Sequence, residues 1–304
     1  MLDEILRSRQ LRGTKSYMPD RPAILRRPRV MLDLSDVGLT EAVPLLGHYY
    51  NIRADAMLAT HGHQQAMEIC YLARGRQVYR VRGRDYAMRA GEVFVTFPGE
   101  QHSSGGRPQE KGELFWIQVC LPRRGRFLSN SMRDAGPLLR ALRQLPRRHF
   151  AASTELAAQF HRLIISAGAK SSPTKRLDLS SQICQFLLEL AACAGRKEAA
   201  QGESAQMQVV LNYIRTRLAN APGIGELAGV MGVSTSWFKA RFRRHMGMPP
   251  GEYVQRARIE KAGELLLAGR RVTDVAMTLG FSSSQYFATV YKRFTGRSPG
   301  TAGG

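Results

Sequence analysis

The C-terminal third of the chain contains an internal repeat, and this duplication constrains the fold more than any other sequence feature. Residues 226–234 (ELAGVMGVS) match residues 274–282 (DVAMTLGFS) at an offset of 48. After the turn the offset becomes 49, because Phe238 corresponds to Phe287. Each copy is predicted to be a short helix, a glycine-containing turn and a second, basic helix. That is the construction of a helix-turn-helix.

The turn and the second helix of each copy have the residue types that this motif requires. Gly232 and Gly280 permit the positive φ that ends the first helix. Ser234 in the first copy, and Ser282 or Ser283 in the second, are predicted to cap the second helix. The aromatic side chains at three- and four-residue spacing are predicted to face the core: Phe238 and Phe242, then Phe287, Tyr291 and Phe294.

The opposite face of each second helix is predicted to bind double-stranded DNA. Small and polar residues near a helix start can approach base edges, while later basic pairs reach phosphates. The predicted contacts are Thr235, Ser236, Lys239, Ala240, Arg243 and Arg244 in the first recognition helix, and Ser284, Gln285, Ala288, Thr289, Lys292 and Arg293 in the second. The alternative is a solvated basic face, but the same face occurs twice, which favours DNA.

A helix over residues 249–269 is predicted to connect the two copies. Pro249-Pro250 suits its start and Gly269 its end. About 18 residues would span about 27 Å, close to the roughly 34 Å between successive major-groove faces. One chain would therefore contact two adjacent major grooves. Arg256 and Arg258 either touch phosphate or bond to Glu260 and to helix ends.

Residues 207–304 resemble the DNA-binding domain of the AraC/XylS family of bacterial transcription regulators. The motifs that carry the resemblance are RARIEKAGELLLAG, VTDVAMTLGFSSSQYFATVYKRFTG and Ser298-Pro299. The resemblance implies a sequence-specific regulator, favours activation of a metabolic operon, and implies a homodimer on repeated half-sites. An activator of this kind would also contact RNA polymerase.

The chain is strongly basic, and part of that charge lies on the duplicated segment. Its 304 residues include 45 Lys and Arg against 24 Asp and Glu, for a net charge of +21. Residues 207–304 hold a net charge of +9, and such an excess favours phosphate contacts through counterion release. Three further clusters either contact flanking DNA or solvate the surface: Arg26-Arg27-Arg29, Arg123-Arg124-Arg126 and Arg147-Arg148.

Other composition features predict a cytoplasmic protein with no membrane partner. No stretch approaches the roughly 20 apolar residues of a membrane span, and the N-terminus has no signal-peptide apolar core. The four cysteines, with no CxxC spacing, read as buried thiols in a reducing compartment: Cys70, Cys120, Cys184 and Cys193.

The whole pattern predicts an α+β multidomain protein. Residues 1–45 are predicted to be an irregular arm or an early edge segment. Residues 77–83, 86–99 and 113–121 are strand candidates with turn signals between them. After Pro122 the pattern becomes helical over residues 136–145, 153–167 and 177–193. The apolar stripe on the last helix (Leu179, Ile183, Phe186, Leu187, Leu190) is intramolecular core or a dimer contact.

The predicted units are a β-barrel with the arm (1–130), a helical connector or dimerisation region (131–203), and an all-α domain with two helix-turn-helix motifs (204–304). A linker over 195–205 is predicted to precede the all-α domain.

The N-terminal strands resemble the cupin barrel that members of this family use to bind ligands. His61, His63 and Glu68 have the spacing H-x-H-x4-E, with Gly75 six residues beyond and His102 downstream. The resemblance implies that these four side chains could hold a divalent ion such as Fe, Mn, Ni or Zn. We favour polar pocket contacts over a metal site or a purely structural role, and we expect no cofactor. The predicted effector pocket is His61, His63, Glu68, Tyr71, His102 and Trp116, with a sugar as the favoured ligand class.

These features are compatible with three functions. The leading one is an effector-responsive transcription regulator. The second is a metal-dependent cupin enzyme carrying a DNA-binding tail, which depends on the four metal-ligand types alone. The third is a non-sensing architectural DNA binder, which predicts no stabilisation by any small molecule.

Overall fold

The computed structural model describes residues 22–196 and 201–301, with only the helical backbone described over residues 201–205. The first part of the predicted arm (residues 1–21), part of the predicted linker (197–200) and the end of the chain (302–304) lie outside the described residues. Among the described residues, no helix combines the length and the apolar character that a lipid bilayer would demand.

The described part of the N-terminal half contains twelve strands. They are β1 Arg29–Leu32, β2 Leu45–Asn51, β3 Asp55–Met57, β4 Ala66–Val81, β5 Arg84–Arg89, β6 Glu92–Thr96, β7 His102–Ser103, β8 Pro108–Gln109, β9 Gly112–Cys120, β10 Arg126–Phe127, β11 Asn130–Ser131 and β12 His149–Ala151. The main sheet has the order β1-β2-β9-β4-β6-β12, and β5 and β7 also pair with β4. All of these pairings are antiparallel.

The 16-residue strand β4 organises the barrel. Its first half pairs with β9 and β6, and its second half pairs with β5 and β7, so one strand takes part in both layers. The register against β9 shifts between Leu72 and Arg74, a bulge that bends the strand. Gly75 follows with a φ of +89°, and a Cβ there would lie 2.4 Å from the Lys111 carbonyl oxygen. Glycine is therefore required at this bend.

The two faces of the sheet pack against different partners. The inner face holds a compact apolar cluster that fills the barrel interior: Tyr49, Cys70, Leu72, Tyr79, Val81, Met88, Phe94, Leu114 and Trp116. The outer face packs against three helices, α1 (Met132–Arg143), α2 (Thr154–Ala167) and α3 (Lys175–Gly195). Side chains alternate between these faces because successive residues of a strand point in opposite directions.

The predicted stripe on the third helix is core. Leu179, Ile183, Phe186, Leu187 and Leu190 are all almost fully buried in the cluster between α3 and the sheet. Of the two predicted alternatives, the structure thus selects intramolecular packing for this stripe. A different face of α3 remains exposed at Leu177 and Leu188.

The C-terminal half consists of six described helices. They are α4 (Gln201–Arg215), α5 (Ile224–Val230), α6 (Thr235–Met246), α7 (Pro250–Leu267), α8 (Val272–Thr278) and α9 (Ser284–Thr295). Helix α4 begins inside the segment predicted as a linker, so the helical structure starts earlier than the prediction. Two separate cores form, one for each repeat, and α7 contributes Tyr253 and Val254 to the first and Ile259, Ala262 and Leu266 to the second.

Candidate functional site

Helix α6 has the predicted cap, core and exposed face. The Ser234 side chain accepts a hydrogen bond from the Trp237 backbone N–H at 3.3 Å, which satisfies one of the free donors at the helix start. Phe238 and Phe242 are fully buried, as predicted. All six residues predicted to contact DNA from this helix are exposed: Thr235, Ser236, Lys239, Ala240, Arg243 and Arg244.

Helix α9 reproduces this arrangement. Its cap is Ser283 rather than Ser282, because the Ser283 Oγ accepts from the Tyr286 N–H at 3.1 Å. Phe287 and Tyr291 are buried and Phe294 is half-buried. Of the predicted DNA contacts, Gln285, Thr289, Lys292 and Arg293 are exposed, while Ser284 and Ala288 are half-buried. The two recognition helices therefore present matched polar and basic faces to solvent.

The two arginines of α7 do not lie on those faces. Arg258 donates to the Leu218 carbonyl at 2.7 Å and lies over the Phe281 ring. Arg256 donates to Glu260 at 3.0 Å, the predicted alternative, and also to Glu110 of the barrel at 2.6 Å. Burial and the nearby charge of Arg76 lower the pKa of Arg256 to about 10. These arginines hold helices and domains together.

The barrel docks against the C-terminal ends of both recognition helices. The Ala54 N–H donates to the Arg293 carbonyl at 2.9 Å, and the Gly75 N–H donates to the Gly247 carbonyl at 3.4 Å. Ion pairs extend the contact to α7: Arg256–Glu110, Lys111–Glu252 at 3.0 Å and Arg76–Glu260 at 3.5 Å. A cavity of about 490 Å³ lies between the two halves beside these pairs. The helix N-termini are left free by this docking.

His61, His63, Glu68 and His102 converge at one end of the barrel, as the motif predicts. One donor atom of each side chain lies within 4.8 Å of the others. The Glu68 carboxylate lies 3.2 Å from Nε2 of His63 and 3.2 Å from Nε2 of His102. Backbone hydrogen bonds between His61 and His102, 3.0 and 2.8 Å long, bring the two chain segments together. Among the described residues this is the one His/Cys/Asp/Glu group found with metal-ligand geometry.

The protonation states in this cluster suit ligand binding. Burial alone would raise the pKa of Glu68, but hydrogen bonds from His102 and His63 hold it well below its usual range. Burial lowers the pKa of His61 more than its bond to the Ala59 carbonyl raises it. Its Nδ1 donates to that carbonyl at 2.9 Å, which leaves Nε2 with a lone pair. An ionised carboxylate and a neutral imidazole are the forms that bind hydroxyl groups or cations.

Gln118 belongs to this cluster, although the sequence analysis missed it. Its Nε2 donates to Glu68 at 3.1 Å and lies 3.1 Å from Nε2 of His63. Gln118 lies directly opposite Glu68 in the pairing of β4 with β9. In the sequence, the feature that could have identified Gln118 is its place in a predicted strand, two residues after Trp116 and on the same face.

The two aromatic residues of the predicted effector pocket lie on different faces of the sheet. Tyr71 is on the opposite face of β4 from Glu68 and stacks on Phe160 of α2 at 5.5 Å, within the outer core. Trp116 faces the barrel interior but is only 8% exposed and fills space beside Gly47 and Tyr49. The prediction for Tyr71 is therefore wrong, because its side chain belongs to the outer core. Trp116 stays a predicted pocket residue, since it shares the inner face of the barrel with Glu68 and Gln118.

Comparisons with known proteins identify the class. The sequence profile of the AraC-like ligand binding domain matches residues 43–187, and that of a helix-turn-helix domain matches residues 227–302. The chain is 38% identical over 101 residues to the HTH-type transcriptional activator AarP of Providencia stuartii, a match that covers 33% of this chain and 74% of AarP. The chain belongs to the AraC family of transcription regulators.

Two longer similarities extend over both halves. The MmsAB operon regulatory protein of Pseudomonas aeruginosa is 24% identical over 259 residues, covering 84% of this chain and 80% of that protein. The structure of ToxT from Vibrio cholerae O395 is 11% identical and covers 83% of this chain and 95% of that chain, with a TM-score of 0.31. The domains and the relatives indicate a DNA-binding transcription regulator with a ligand-binding domain rather than a cupin enzyme.

Proposed function

We propose that one chain binds two adjacent major grooves with α6 and α9 and activates a metabolic operon in response to an effector. The observation that supports the double contact is the pair of capped, exposed faces joined by the 18-residue helix α7. An α-helix of that length spans about 27 Å, near the spacing of successive groove faces. AarP is an HTH-type transcriptional activator, which supports activation over repression.

DNA selection from a random library tests this proposal. The full chain should enrich a specific sequence, and its affinity should fall steeply with salt. Arg243→Ala should weaken binding to all sequences and reduce the salt slope by about 1, whereas Lys239→Ala or Gln285→Ala should relax preference at particular bases. Lys261→Ala is the control, because Lys261 pairs with Glu264 on α7. No preference over random DNA at moderate salt would contradict the proposal.

We propose that the effector binds at the His61, His63, Glu68 and His102 cluster, with Gln118 as a further contact. The convergence of five polar side chains supports a small polar ligand, and we favour a sugar. The same donors also fit a divalent ion, because three imidazoles and one carboxylate suit transition metals. Such an ion would act as a Lewis acid that binds an effector oxygen.

A thermal-shift screen separates these ligands from the architectural alternative. Carbohydrates are added with EDTA, or with zinc, manganese or nickel, and binding at 100 times Kd should stabilise the protein by about 2.7 kcal/mol. Glu68→Gln should abolish the shift. The control His149→Ala alters a histidine that pairs with Glu92 away from the cluster. A shift that persists in Glu68→Gln would place the effector elsewhere, and no shift with any compound would favour a non-sensing DNA binder.

We propose that two paired loops transmit the effector signal. The segment with His61 also contains Ala54, and the segment with His102 continues to Glu110 and Lys111. These segments are joined through β3 and β8 and by the Leu58–Ser104 hydrogen bonds. One end of these paired segments therefore holds His61 and His102, and the other end contacts α7 and α9.

Glu110→Gln tests the route. It removes the charge that pairs with Arg256, so the effector found in the screen should still bind but should change DNA affinity less. Glu155→Gln is the control, because Glu155 pairs with Arg162 on α2, away from these paired segments. An unchanged effector response in Glu110→Gln would contradict the proposed route.

We propose a homodimer through the outer face of α3. Leu177 and Leu188 are 73% and 56% exposed, and three helical turns separate them on one face. Leu188→Lys should convert dimers to monomers in sedimentation velocity. Leu267→Lys is the control, because Leu267 is 76% exposed at the end of α7. A monomeric wild type would contradict the proposal. RNA polymerase is the further partner that an activator requires.

A further inference from the structure

Two exposed aromatic residues occupy matching positions of the recognition helices. Trp237 and Tyr286 are 45% and 46% exposed, and they are separated by the same 49 residues that relate the rest of α6 and α9. Each is the third residue of its helix, and its N–H is the one held by the capping serine. A half-exposed aromatic side chain thus occurs at the equivalent position of both copies, beside the two faces that are proposed to bind DNA.

The neighbours of these rings fit a nucleic acid. Arg244 and Arg293 follow the aromatic residues at i+7 in both copies, hence on the same helix face, and both are exposed. The Arg241 guanidinium also lies 5.2 Å from the centre of the Trp237 ring. Each helix thus presents an aromatic ring at its first turn and a cation two turns later.

The rings do not serve the two cores. Phe238 and Phe287, the next residues in each copy, fill the cores and are fully buried. Among the described contacts, the Tyr286 hydroxyl oxygen meets only Gln255, whose Nε2 donates to it at 3.2 Å. The centre of the Tyr286 ring lies 6.1 Å from the centre of the Phe281 ring. About half of each ring is left available to a partner.

We propose that Trp237 and Tyr286 contact DNA directly, each packing its exposed ring against a thymine 5-methyl group at the edge of its major groove. The inference rests on the proposed use of α6 and α9 in DNA binding. The major groove displays that methyl group, and apolar side chains recognise it. The helix start is the part of a recognition helix that approaches base edges. The two aromatics thereby add an apolar component to otherwise polar and basic surfaces.

Tryptophan fluorescence tests the first contact on the wild-type protein. The chain has two tryptophans, and Trp116 is buried in the barrel, so acrylamide quenching reports mainly on Trp237. The selected DNA should protect Trp237 from acrylamide, and Trp237→Phe should remove this change. Unchanged quenching on a DNA that the protein binds specifically would overturn the proposed contact.

Base substitution tests the methyl group. Replacing single thymines of the selected DNA by deoxyuridine should reveal one position in each groove where affinity falls about fourfold, the value of one buried methyl group. Trp237→Ala should lose sensitivity at one position and Tyr286→Ala at the other. Uniform tolerance of deoxyuridine would overturn the inference, as would alanine variants that retain the wild-type pattern.

The outcomes separate this inference from the proposed function. Weaker binding to all sequences in Arg243→Ala, together with unaltered binding in Trp237→Ala, would keep α6 in DNA binding and reject the aromatic contact. Absence of any specific DNA would reject the proposed double contact itself. Trp237→Phe retains an aromatic ring at this position, so it provides the fluorescence control even if Trp237→Ala folds poorly.

Discussion

Arg147 and Arg148 show how adjacent residues of the same charge take different structural roles. Arg147 donates to the Ala194 and Cys193 carbonyls at the end of α3, where free carbonyls and the helix dipole favour a cation. Arg148 makes two hydrogen bonds to Glu100, 2.9 and 3.0 Å long. The Arg147-Arg148 cluster therefore stabilises the barrel. This role differs from both roles predicted from the sequence, contact with flanking DNA and solvation of the surface.

Glu100 gives a pH-dependent prediction. Burial would raise its pKa, but hydrogen bonds from Arg148 and from the Phe97 N–H lower it. A lowered pKa adds stability above the ordinary value of 4.5 that is lost as the pH falls below it. Glu100→Gln should cost about 2 kcal/mol at pH 7, and the cost should shrink below pH 4.5. Urea denaturation checks this, with the exposed Glu41→Gln as control; a cost independent of pH would contradict it.

Two glycines give a matched prediction about docking. Gly247 and Gly296 both have positive φ, +70° and +74°, at the ends of α6 and α9. A Cβ on Gly247 would lie 2.1 Å from the Cβ of Ala90, whereas one on Gly296 would meet nothing closer than 3.9 Å. Both alanine variants should lose about 1 kcal/mol for the left-handed backbone. Only Gly247→Ala should also weaken docking, seen as a larger radius of gyration in X-ray scattering.

At the scale of elements, the sequence predicts helices better than the site around the barrel. The repeat, the glycine turns and the capping serines are local signals, so α6 and α9 follow from neighbouring residues. The convergence on Glu68 was predicted from the family resemblance. Gln118 and the placement of Tyr71 depend on which strands pair and on where the β4 bulge falls, and these are non-local facts that spacing does not contain.

The caps give a prediction at this scale. Ser234→Ala and Ser283→Ala should each cost about 1 kcal/mol, because each leaves a helix N–H without its acceptor. Ser282→Ala should cost much less, since the adjacent Ser283 makes the bond. Denaturant titrations of the three variants check the ranking. A Ser282→Ala cost equal to that of Ser283→Ala would contradict the assigned cap.

At the scale of the whole molecule, α7 is the element that joins the domains. It contributes to both repeat cores and provides Glu252, Arg256 and Glu260 to the ion pairs with the barrel. Arg256 is the most buried of these side chains, 11% exposed. Breaking an ion pair costs more when the remaining partner stays buried.

Arg256→Met should therefore uncouple the two halves. Loss of its bonds to Glu110 and Glu260 should cost about 1–3 kcal/mol and should divide one thermal transition into two. Differential scanning calorimetry measures this, and Arg270→Met, an exposed position after α7, is the control. A single unshifted transition would show that the other contacts suffice to hold the domains together.

The docking of both recognition helices has a consequence for the DNA that the protein selects. Ala54, in the loop before β3, and Gly75, in β4, hold the C-terminal ends of α9 and α6 against the barrel, so the barrel fixes the separation of the two proposed DNA contacts. A DNA site lengthened by one base pair between its two halves should therefore bind more weakly, and this loss should be largest while the barrel is docked on α6 and α9. Tolerance for spacing, as well as affinity, then becomes a property that the barrel controls.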